Sequence, residues 1–248
     1  MLAAAGLVVA ALVIVTVVMN WTPRLAPQAY TSVPLASQVE VGDIIRFGEF
    51  DWRVLDLQVN RALVITERVI DHRMFHDRNH ESVNWEQSGI RMWLNNQFFY
   101  SFHPSNQAQI LETYLRASVN PRFVIPTTSP HYGRNTRDRV FLLGIEEVVH
   151  YFGDSGQFEE AFEDEALIRS ISDEYNDARI AYCLEGSPSW WWLRTTGMGF
   201  RFAALVNWNG AVSLDGRVVY WHEGNLILFT IPGSGGGIRP AMWIYLDE

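Results

Sequence analysis

Two aromatic stretches near the end of the chain decide the fold: Ser189-Trp190-Trp191-Trp192-Leu193-Arg194 and Gly237-Ile238-Arg239-Pro240-Ala241-Met242-Trp243-Ile244-Tyr245-Leu246. Short runs rich in β-branched and aromatic residues lie between them and are separated by glycine turns, which is typical of strands. Arg194 and Arg239 hold matching positions in the two stretches, so each can hydrogen-bond to carboxylates or carbonyls at the sheet ends. The stretch therefore predicts a β-rich core.

Turn residues divide this core into hairpins. Asn209-Gly210 separates the run 201–208 from the run 211–214, and Asn-Gly is a strong hairpin signal. Asp215-Gly216 predicts a second turn of the same kind before the run 217–221. Residues 238–246 then predict one closing strand.

The first half of the domain predicts a three-stranded meander followed by helices. The runs 43–48, 52–57 and 62–66 are rich in β-branched and aromatic residues and are separated by short turns. Helical periodicity follows in 85–99, in a segment after His103-Pro104 that extends to Leu115, and in 145–152. We therefore expect an α+β domain of antiparallel strands with two or three helices over residues 41–248.

The N-terminus carries a different signal. Within residues 1–21, the stretch from Met1 to Met19 has no charged side chain and is dominated by Ala, Val, Leu and Ile, a length that nearly spans a bilayer as a helix. This predicts a transmembrane anchor, with a cleaved signal peptide and a buried helix as alternatives. Residues 22–40 contain three prolines and predict a linker. Arg24 follows the apolar run, so the positive-inside rule favours a cytoplasmic body, whereas a surface-binding role requires an extracytoplasmic domain.

Composition excludes several classes of function. The net charge of −9 and the lack of a basic cluster argue against nucleic acid as a partner. The single cysteine, Cys183, excludes an intramolecular disulfide and paired-cysteine sites and predicts a small buried side chain. Nucleotide-binding loops, nucleophile elbows and HExxH motifs are absent, so the sequence leans away from an enzyme and predicts no cofactor.

Two polar segments suggest metal binding at first sight. His72, His76 and His80 recur every four residues within 71–81, but this segment is almost wholly polar and follows a strand directly. The acidic segment 154–177 lacks the alternating oxygen ligands and the glycine of a calcium loop. We therefore expect a solvated loop and a solvated, partly helical face, and no metal site.

Five ordered motifs resemble a widespread bacterial domain of unknown function. They are Phe47-Gly48 with Trp52-Arg53-Val54-Leu55, then Trp85-Glu86 with Ile90-Arg91-Met92-Trp93-Leu94-Asn95, Val140-Phe141-Leu142-Leu143, Trp191-Trp192-Leu193-Arg194 and Gly237-Ile238-Arg239-Pro240-Ala241. The last is also similar to the closing strand of C-type-lectin-like and formylglycine-generating-enzyme-like folds. The resemblance implies a C-type-lectin-like domain and structural roles for Trp52, Arg91, Trp93, Asn95, Trp191, Trp192, Arg194 and Arg239. Oxidase chemistry of the second group depends on cysteines, so Cys183 alone argues against it.

Three functions stay open at this point. The first is a single-pass, membrane-anchored binding module for a glycan, a cell-wall fragment or a protein. Its candidate ligand-binding residues lie nearest the predicted turns and are Trp208, Asn209, Trp221 and His222. The second is an enzyme that uses histidine and carboxylate chemistry, and the third is a scaffold of a membrane assembly.

Overall fold

The computed structural model describes residues 38–76, 84–118, 133–156, 170–197, 202–217, 221–222, 225–226 and 235–247. Within them the chain is mixed α+β, with mostly antiparallel sheets and few helices. The strands are β1 (Ile44–Phe47), β2 (Phe50–Gln58), β3 (Arg61–Thr66), β4 (Asp71–Arg73), β5 (Thr113–Leu115), β6 (Thr136–Asp138), β7 (Ser170–Ile171), β8 (Ala181–Tyr182), β9 (Pro188–Ser189), β10 (Trp191–Thr196), β11 (Phe202–Val206), β12 (Val212–Arg217), β13 (Trp221–His222), β14 (Asn225–Leu226), β15 (Gly236–Ile238) and β16 (Ala241–Tyr245).

The described helices are short. They are α1 (Gly89–Trp93), α2 (Pro104–Gln109), α3 (Ile145–Phe152) and α4 (Asn176–Arg179). A π-helical turn (Leu94–Phe98) and a 3-10 turn (Phe99–Ser101) continue α1 without a break. Ser88 caps α1 because its hydroxyl accepts a hydrogen bond from the backbone N–H of Arg91, so this helix begins four residues later than the periodicity predicts.

The predicted meander is confirmed and is closed by the last strand of the chain. Strands β1, β2 and β3 pair antiparallel in sequence order, and β16 pairs antiparallel with β3, with Ala241 opposite Ile65. Five of the six residues of β3 are buried, and only Arg61 of this strand is exposed. The two ends of the domain therefore meet in one four-stranded sheet.

A second sheet has the strand order β4-β15-β10-β11-β12-β7. Its pairs are antiparallel except for β10 with β15, which is parallel. Strand β10 is central and buried throughout its length. Buried side chains of both sheets and of α1 and α3 form one hydrophobic core.

Three sequence predictions in the second sheet need correction. Asp215 and Gly216 lie within β12 and do not form a turn, since Gly216 pairs with Ala203. Residues 71–73 form β4 on β15 and are not a solvated loop. The predicted closing strand is two strands, β15 and β16, which belong to different sheets and are separated at Arg239-Pro240, because proline cannot continue a backbone ladder.

The helix predicted after His103 is shorter than expected. It ends at Gln109, and Ile110 is extended and bridges Ile244, while the N–H of Leu111 donates to the carbonyl of Trp243. Pairing with the edge of β16 therefore outweighs helical periodicity here, and 113–115 forms β5 opposite β6. The hairpin at Asn209-Gly210 and the helix 145–152 are confirmed.

Two predictions fall partly or wholly outside the described residues. The predicted anchor at 1–21 lies outside them, and no helix among the described residues is long and apolar enough to cross a membrane. Most of the predicted acidic face also lies outside them; its described end contains β7 and α4.

Candidate functional site

The four predicted ligand-binding residues lie in two segments. Trp208 and Asn209 form the turn between β11 and β12, and 61% of the Trp208 surface is exposed. The Asn209 Oδ1 accepts a hydrogen bond from the backbone N–H of Ala211, at 3.3 Å. Trp221 and His222 form β13 opposite β14, and their side chains lie outside the described part of the chain. The structure thus brings Trp208 and Asn209 together, and their relation to the other pair stays a prediction.

Three motif tryptophans are buried in the core. Each indole N–H donates to a backbone carbonyl: Trp52 to Phe47 at 2.9 Å, Trp191 to Arg179 at 3.2 Å and Trp192 to Arg73 at 2.9 Å. A buried indole N–H needs such an acceptor. These side chains therefore pack the fold and leave no face for a ligand.

Arg91 and Asn95 hold the segment after β6 against the helix. The Nε of Arg91 pairs with the buried carboxylate of Asp138, at 2.8 Å. The Asn95 side chain donates to the carbonyl of Val140 at 2.8 Å and accepts from its N–H at 3.2 Å. Trp93 is partly buried and packs on the core. All three residues fix the path of the chain.

Arg194 joins β10 to the start of α3. Its Nη2 donates to Glu147 Oε1 at 2.9 Å, its Nη1 donates to Glu147 Oε2, and Nη1 also donates to the carbonyl of Leu142 at 3.0 Å. The same Glu147 accepts the backbone N–H of Gly144, at 2.7 Å. Arg194 is therefore paired at two points with one carboxylate.

A cleft of about 480 Å³ lies beside β2, the end of α3 and α4. Its lining combines apolar groups, including Phe152 and Ile180, with charged and phenolic groups. The polar lining side chains are Arg53, Glu67, Tyr151, Asp177, Tyr182 and Arg239. A cleft of this size suits a small ligand.

Arg239 is the least exposed of these polar side chains, with 2% of its surface exposed. Its Cζ lies 5.1 Å from the ring centroid of Trp191 and 5.4 Å from that of Phe152, so both rings contribute cation–π attraction. Its Nε donates to the carbonyl of Thr66 at 2.8 Å, while its buried Nη1 has no hydrogen-bond partner among the described residues. Burial lowers the pKa of Arg239 to about 10, against a smaller opposing effect of Glu67, so the group stays cationic at neutral pH.

Glu67, whose charge acts on Arg239, is already paired with Arg53. Arg53 Nε donates to Glu67 Oε2 at 2.8 Å and its Nη2 donates to Oε1 at 2.6 Å. Its Nη1 donates to the carbonyl of Gly42 at 3.3 Å. A two-point pair of this kind is strong and leaves both partners saturated.

Two further groups line the cleft with hydrogen-bonding capacity. Burial, together with the smaller effects of the Asp56 and Glu147 carboxylates, raises the pKa of the Tyr151 hydroxyl to about 12, so Tyr151 stays protonated and can donate. Asp177 is exposed, lies in the first turn of α4, and its carboxylate has no ion-pair partner among the described residues.

The turn that carries Trp208 adjoins this cleft. Gly210 has φ of 82°, and a Cβ there would overlap the backbone carbonyl of Asn176. The turn thus packs directly on Asn176 of α4. The two residues after Asn176, Asp177 and Ala178, line the cleft. Only glycine permits this close approach.

The arrangement provides a buried cation among the lining residues of a small cleft, with one N–H group that has no hydrogen-bond partner among the described residues. A buried, unpaired N–H on a charged group costs free energy, and an anionic acceptor recovers it. Among the described residues no group of three or more His, Cys, Asp or Glu side chains is placed to hold a metal ion, and His80 lies outside them.

A second polar cluster surrounds the only cysteine of the chain. The Sγ of Cys183 lies 3.7 Å from His72 Nε2, which lies 3.1 Å from Ser189 Oγ. Ser189 Oγ donates to the carbonyl of Trp190, at 3.1 Å. Cys183 is buried, as the sequence predicts, with 6% of its surface exposed.

Sequence reasoning missed the cleft. It placed Arg239 in a structural motif and did not select Glu67, Tyr151, Asp177 or Tyr182, which come from four separate segments of the chain. The available signal was the spacing of Arg53 and Glu67, which occupy adjacent antiparallel strands or their ends and can pair across them.

Comparison with known proteins gives one match. A family model described as a domain of unknown function (DUF6273) matches residues 59–246. No curated protein and no solved structure matches the chain.

Proposed function

The chain belongs to the DUF6273 family, a domain of unknown function, and on that premise we propose that it is a binding module for a small ligand that carries a carboxylate. The ligand occupies the cleft at Arg239. Its carboxylate accepts the unused Nη1–H of that guanidinium, and aromatic and phenolic side chains enclose the rest of it.

The observation that carries this proposal is that Arg239, which lines the cleft, has a buried Nη1 without a hydrogen-bond partner among the described residues. Arg179 and Arg194 are also buried and each leaves its Nε without a hydrogen-bond partner among the described residues, but Arg179 pairs with Asp173 and Arg194 pairs with Glu147. Arg53, in the same cleft as Arg239, likewise pairs with Glu67 and also donates to the carbonyl of Gly42. Among the described residues, Arg239 donates through Nε to a carbonyl and has no carboxylate partner, so an external carboxylate would complete its hydrogen bonding.

Among the three ligand classes open from the sequence, a cell-wall fragment fits best. Cell-wall peptides and acidic sugars carry carboxylates, and the cleft volume of about 480 Å³ accommodates a fragment but not a folded partner. The exposed Trp208, on the turn that packs against α4, offers an aromatic face to a sugar near the rim.

The finer fold and the location are part of the same proposal. We propose a C-type-lectin-like domain, supported by the resemblance of its closing strand, whose Ala241–Tyr245 segment pairs with the early strand β3. The apolar residues 1–21 anchor the domain in the membrane by a single helix. An extracytoplasmic domain would meet cell-wall fragments there.

The direct test is calorimetric titration of the full-length protein with soluble disaccharide-peptides released from bacterial cell wall by a muramidase. We expect saturable binding that weakens by about tenfold or more when the carboxyl groups of the same fragments are converted to amides, because a buried charge pair is lost. Equal binding of the amidated fragments, or no binding of either preparation, would reject the proposal.

A matched pair of variants locates the site. Tyr182 lines the cleft and is 45% exposed, whereas Tyr100 is 68% exposed and is not among the lining residues. Tyr182→Ser should weaken fragment binding without unfolding the domain, and Tyr100→Ser should leave it unchanged. Equal effects of the two variants would place the ligand elsewhere.

The second candidate function is an enzyme, and the observation in its favour is the cluster of Cys183, His72 and Ser189. A thiol within 3.7 Å of an imidazole can act as a nucleophile with its base. This alternative predicts that Cys183→Ala or His72→Gln abolishes turnover of cell-wall fragments while leaving their binding intact. The thiol is buried, so we rank binding first.

The third candidate, a scaffold of a membrane assembly, uses the surface of the domain and not the cleft. It predicts that a cross-linked complex from membranes persists when the Tyr182→Ser variant replaces the native chain. Loss of the complex in that variant would favour the cleft.

A further inference from the structure

Only some of the charged side chains that line the cleft are neutralised by an ion pair with a neighbour. Arg53 and Glu67 neutralise each other through two hydrogen bonds. This leaves two lining charges without an ion-pair partner among the described residues: Arg239, which is buried, and Asp177, which is exposed in the first turn of α4. The cleft is therefore positive at one place and negative at another.

The wall that carries Tyr151 adds negative potential. The carboxylates of Asp56 and Glu147 both raise the pKa of Tyr151, after the larger effect of burial. Arg194 offsets the charge of Glu147, as Arg53 offsets that of Glu67, whereas among the described residues Asp56 accepts hydrogen bonds from the neutral groups of Leu57 and Gln58 and keeps its net charge. A cationic group of a ligand is favoured on this side of the cleft and disfavoured at Arg239.

We infer that the ligand is a zwitterion, an amino acid or a short peptide with a free amino end and a free carboxylate. Its carboxylate pairs with Arg239 and its ammonium group lies at Asp177. This inference rests on the proposed function, because it specifies the ligand of the same cleft. It adds the ammonium group and the role of Asp177.

The size of the cleft agrees with a ligand of this class. A volume of about 480 Å³ is at the lower end of the range for small-molecule sites, which suits one or a few amino-acid units. The carboxyl end of a longer cell-wall peptide can enter alone, but it supplies only the carboxylate contact of the proposed function. A free amino acid and a dipeptide both carry the two charges, and separate titrations of the two probes distinguish them by size.

The experiment uses the full-length protein and probes that differ by one charge. Alanyl-alanine carries both charges, N-acetyl-alanyl-alanine keeps only the carboxylate, and alanyl-alaninamide keeps only the ammonium group. Alanine is titrated as the single amino acid. Dissociation constants are measured by calorimetry for both stereochemical series of each probe.

We expect alanyl-alanine to bind about threefold to fivefold more tightly than its N-acetyl form, the scale of one partly exposed ion pair. Asp177→Asn should remove that difference and leave the N-acetyl form unaffected. Glu174→Gln, an exposed carboxylate on the preceding turn that is not among the lining residues, should change neither probe. Loss of the carboxyl charge should cost about tenfold or more.

The two proposals fail in different ways. If the N-acetyl form binds as tightly as alanyl-alanine and Asp177→Asn changes neither, the ligand is a carboxylate without the ammonium contact, and only the inference is wrong. If alanyl-alaninamide binds as well as alanyl-alanine, the carboxylate contact is wrong and the proposed function fails with it. No binding of any probe at about 10 mM, a very weak complex, overturns the inference, while binding of cell-wall fragments is decided by their own titration.

Discussion

Arg239 lies over the indole of Trp191, with its Cζ 5.1 Å from the ring centroid, and keeps one guanidinium nitrogen without a hydrogen-bond partner among the described residues. The stacking holds the side chain in one orientation, and its Nη1–H has no hydrogen-bond acceptor among the described residues.

The first prediction concerns Arg239→Met. Replacing a buried, incompletely paired charge with an apolar side chain of similar length is often neutral or stabilising. We expect the free energy of unfolding to change by less than about 1 kcal/mol, since lost cation–π attraction offsets the desolvation penalty, and carboxylate binding to disappear. Denaturant unfolding and calorimetry measure the two quantities. A strongly destabilised variant would instead assign Arg239 to the structure alone.

The second prediction concerns pH. Because burial lowers the pKa of Arg239 to about 10, the cation that binds a carboxylate is present below that value and is lost above it. Affinity for N-acetyl-alanyl-alanine, which has no titrating amine, should be constant between about pH 6 and 9 and should fall as the pH rises through 10. Tyr151→Phe should keep the same profile, because the pKa of Tyr151 is about 12. A profile that moves with that substitution would contradict the assignment.

The third prediction concerns the ion pair between Arg194 and Glu147. Glu147→Gln leaves the Arg194 guanidinium, which is 8% exposed, without its counter-charge. We expect a loss of about 2 kcal/mol or more in the free energy of unfolding. The control is Glu146→Gln, an exposed acid in the same turn of α3. Equal unfolding curves for both variants would mean that the pair contributes little.

The fourth prediction concerns acid stability. Burial alone would raise the pKa of Asp173, but hydrogen bonds from Arg179 and from backbone N–H groups lower it below its ordinary value of 3.8. The stabilisation is therefore complete above about pH 4 and is lost as the pH falls through the folded-state pKa. Asp173→Asn should cost about 3 kcal/mol at neutral pH, since Arg179 is fully buried.

The same variant should also lose less stability than the native chain as the pH falls from 4 to 2. Thermal unfolding at a series of pH values measures both slopes. Parallel slopes would show that Asp173 does not titrate in that range.

The fifth prediction concerns Gly216. A Cβ there would lie 2.6 Å from the carbonyl of Ala203 and 2.7 Å from the Trp192 ring, so Gly216→Ala must displace a strand or a buried indole. We expect a loss of about 2 kcal/mol or more in the free energy of unfolding. Gly186→Ala, at φ of 94° with open space around it, should cost only about 1 kcal/mol of backbone strain. The reverse order would contradict the packing account.

The same glycine explains one limit of prediction from sequence. Asp215-Gly216 carries the residues of a hairpin turn, yet it lies inside β12, because Gly216 is needed where Trp192 approaches the strand. Local signals were sufficient for the meander, for α3 and for the Asn209-Gly210 turn, where turn chemistry and apolar periodicity agree. They failed at 110–115, where pairing of Ile110 with Ile244 depends on a residue far along the chain.

The candidate site was beyond sequence reasoning for a similar reason. Arg239 was selected from its motif, but the cleft joins it to Glu67, Tyr151 and Asp177 through three separate elements. The spacing of residues in the sequence does not show that Glu67 pairs with Arg53, or that Asp177 has no ion-pair partner among the described residues. Only the fold distinguishes a neutralised charge from an open one.

The most direct test is an NMR titration of the arginine side-chain N–H resonances of the full-length protein with alanyl-alanine. The resonance of Arg239 is assigned by its absence in Arg239→Met. We predict that it shifts saturably with the dipeptide, while that of Arg194, which is paired with Glu147, stays in place. A dipeptide that binds by calorimetry without moving the Arg239 resonance would contradict the central claim that its guanidinium receives the carboxylate.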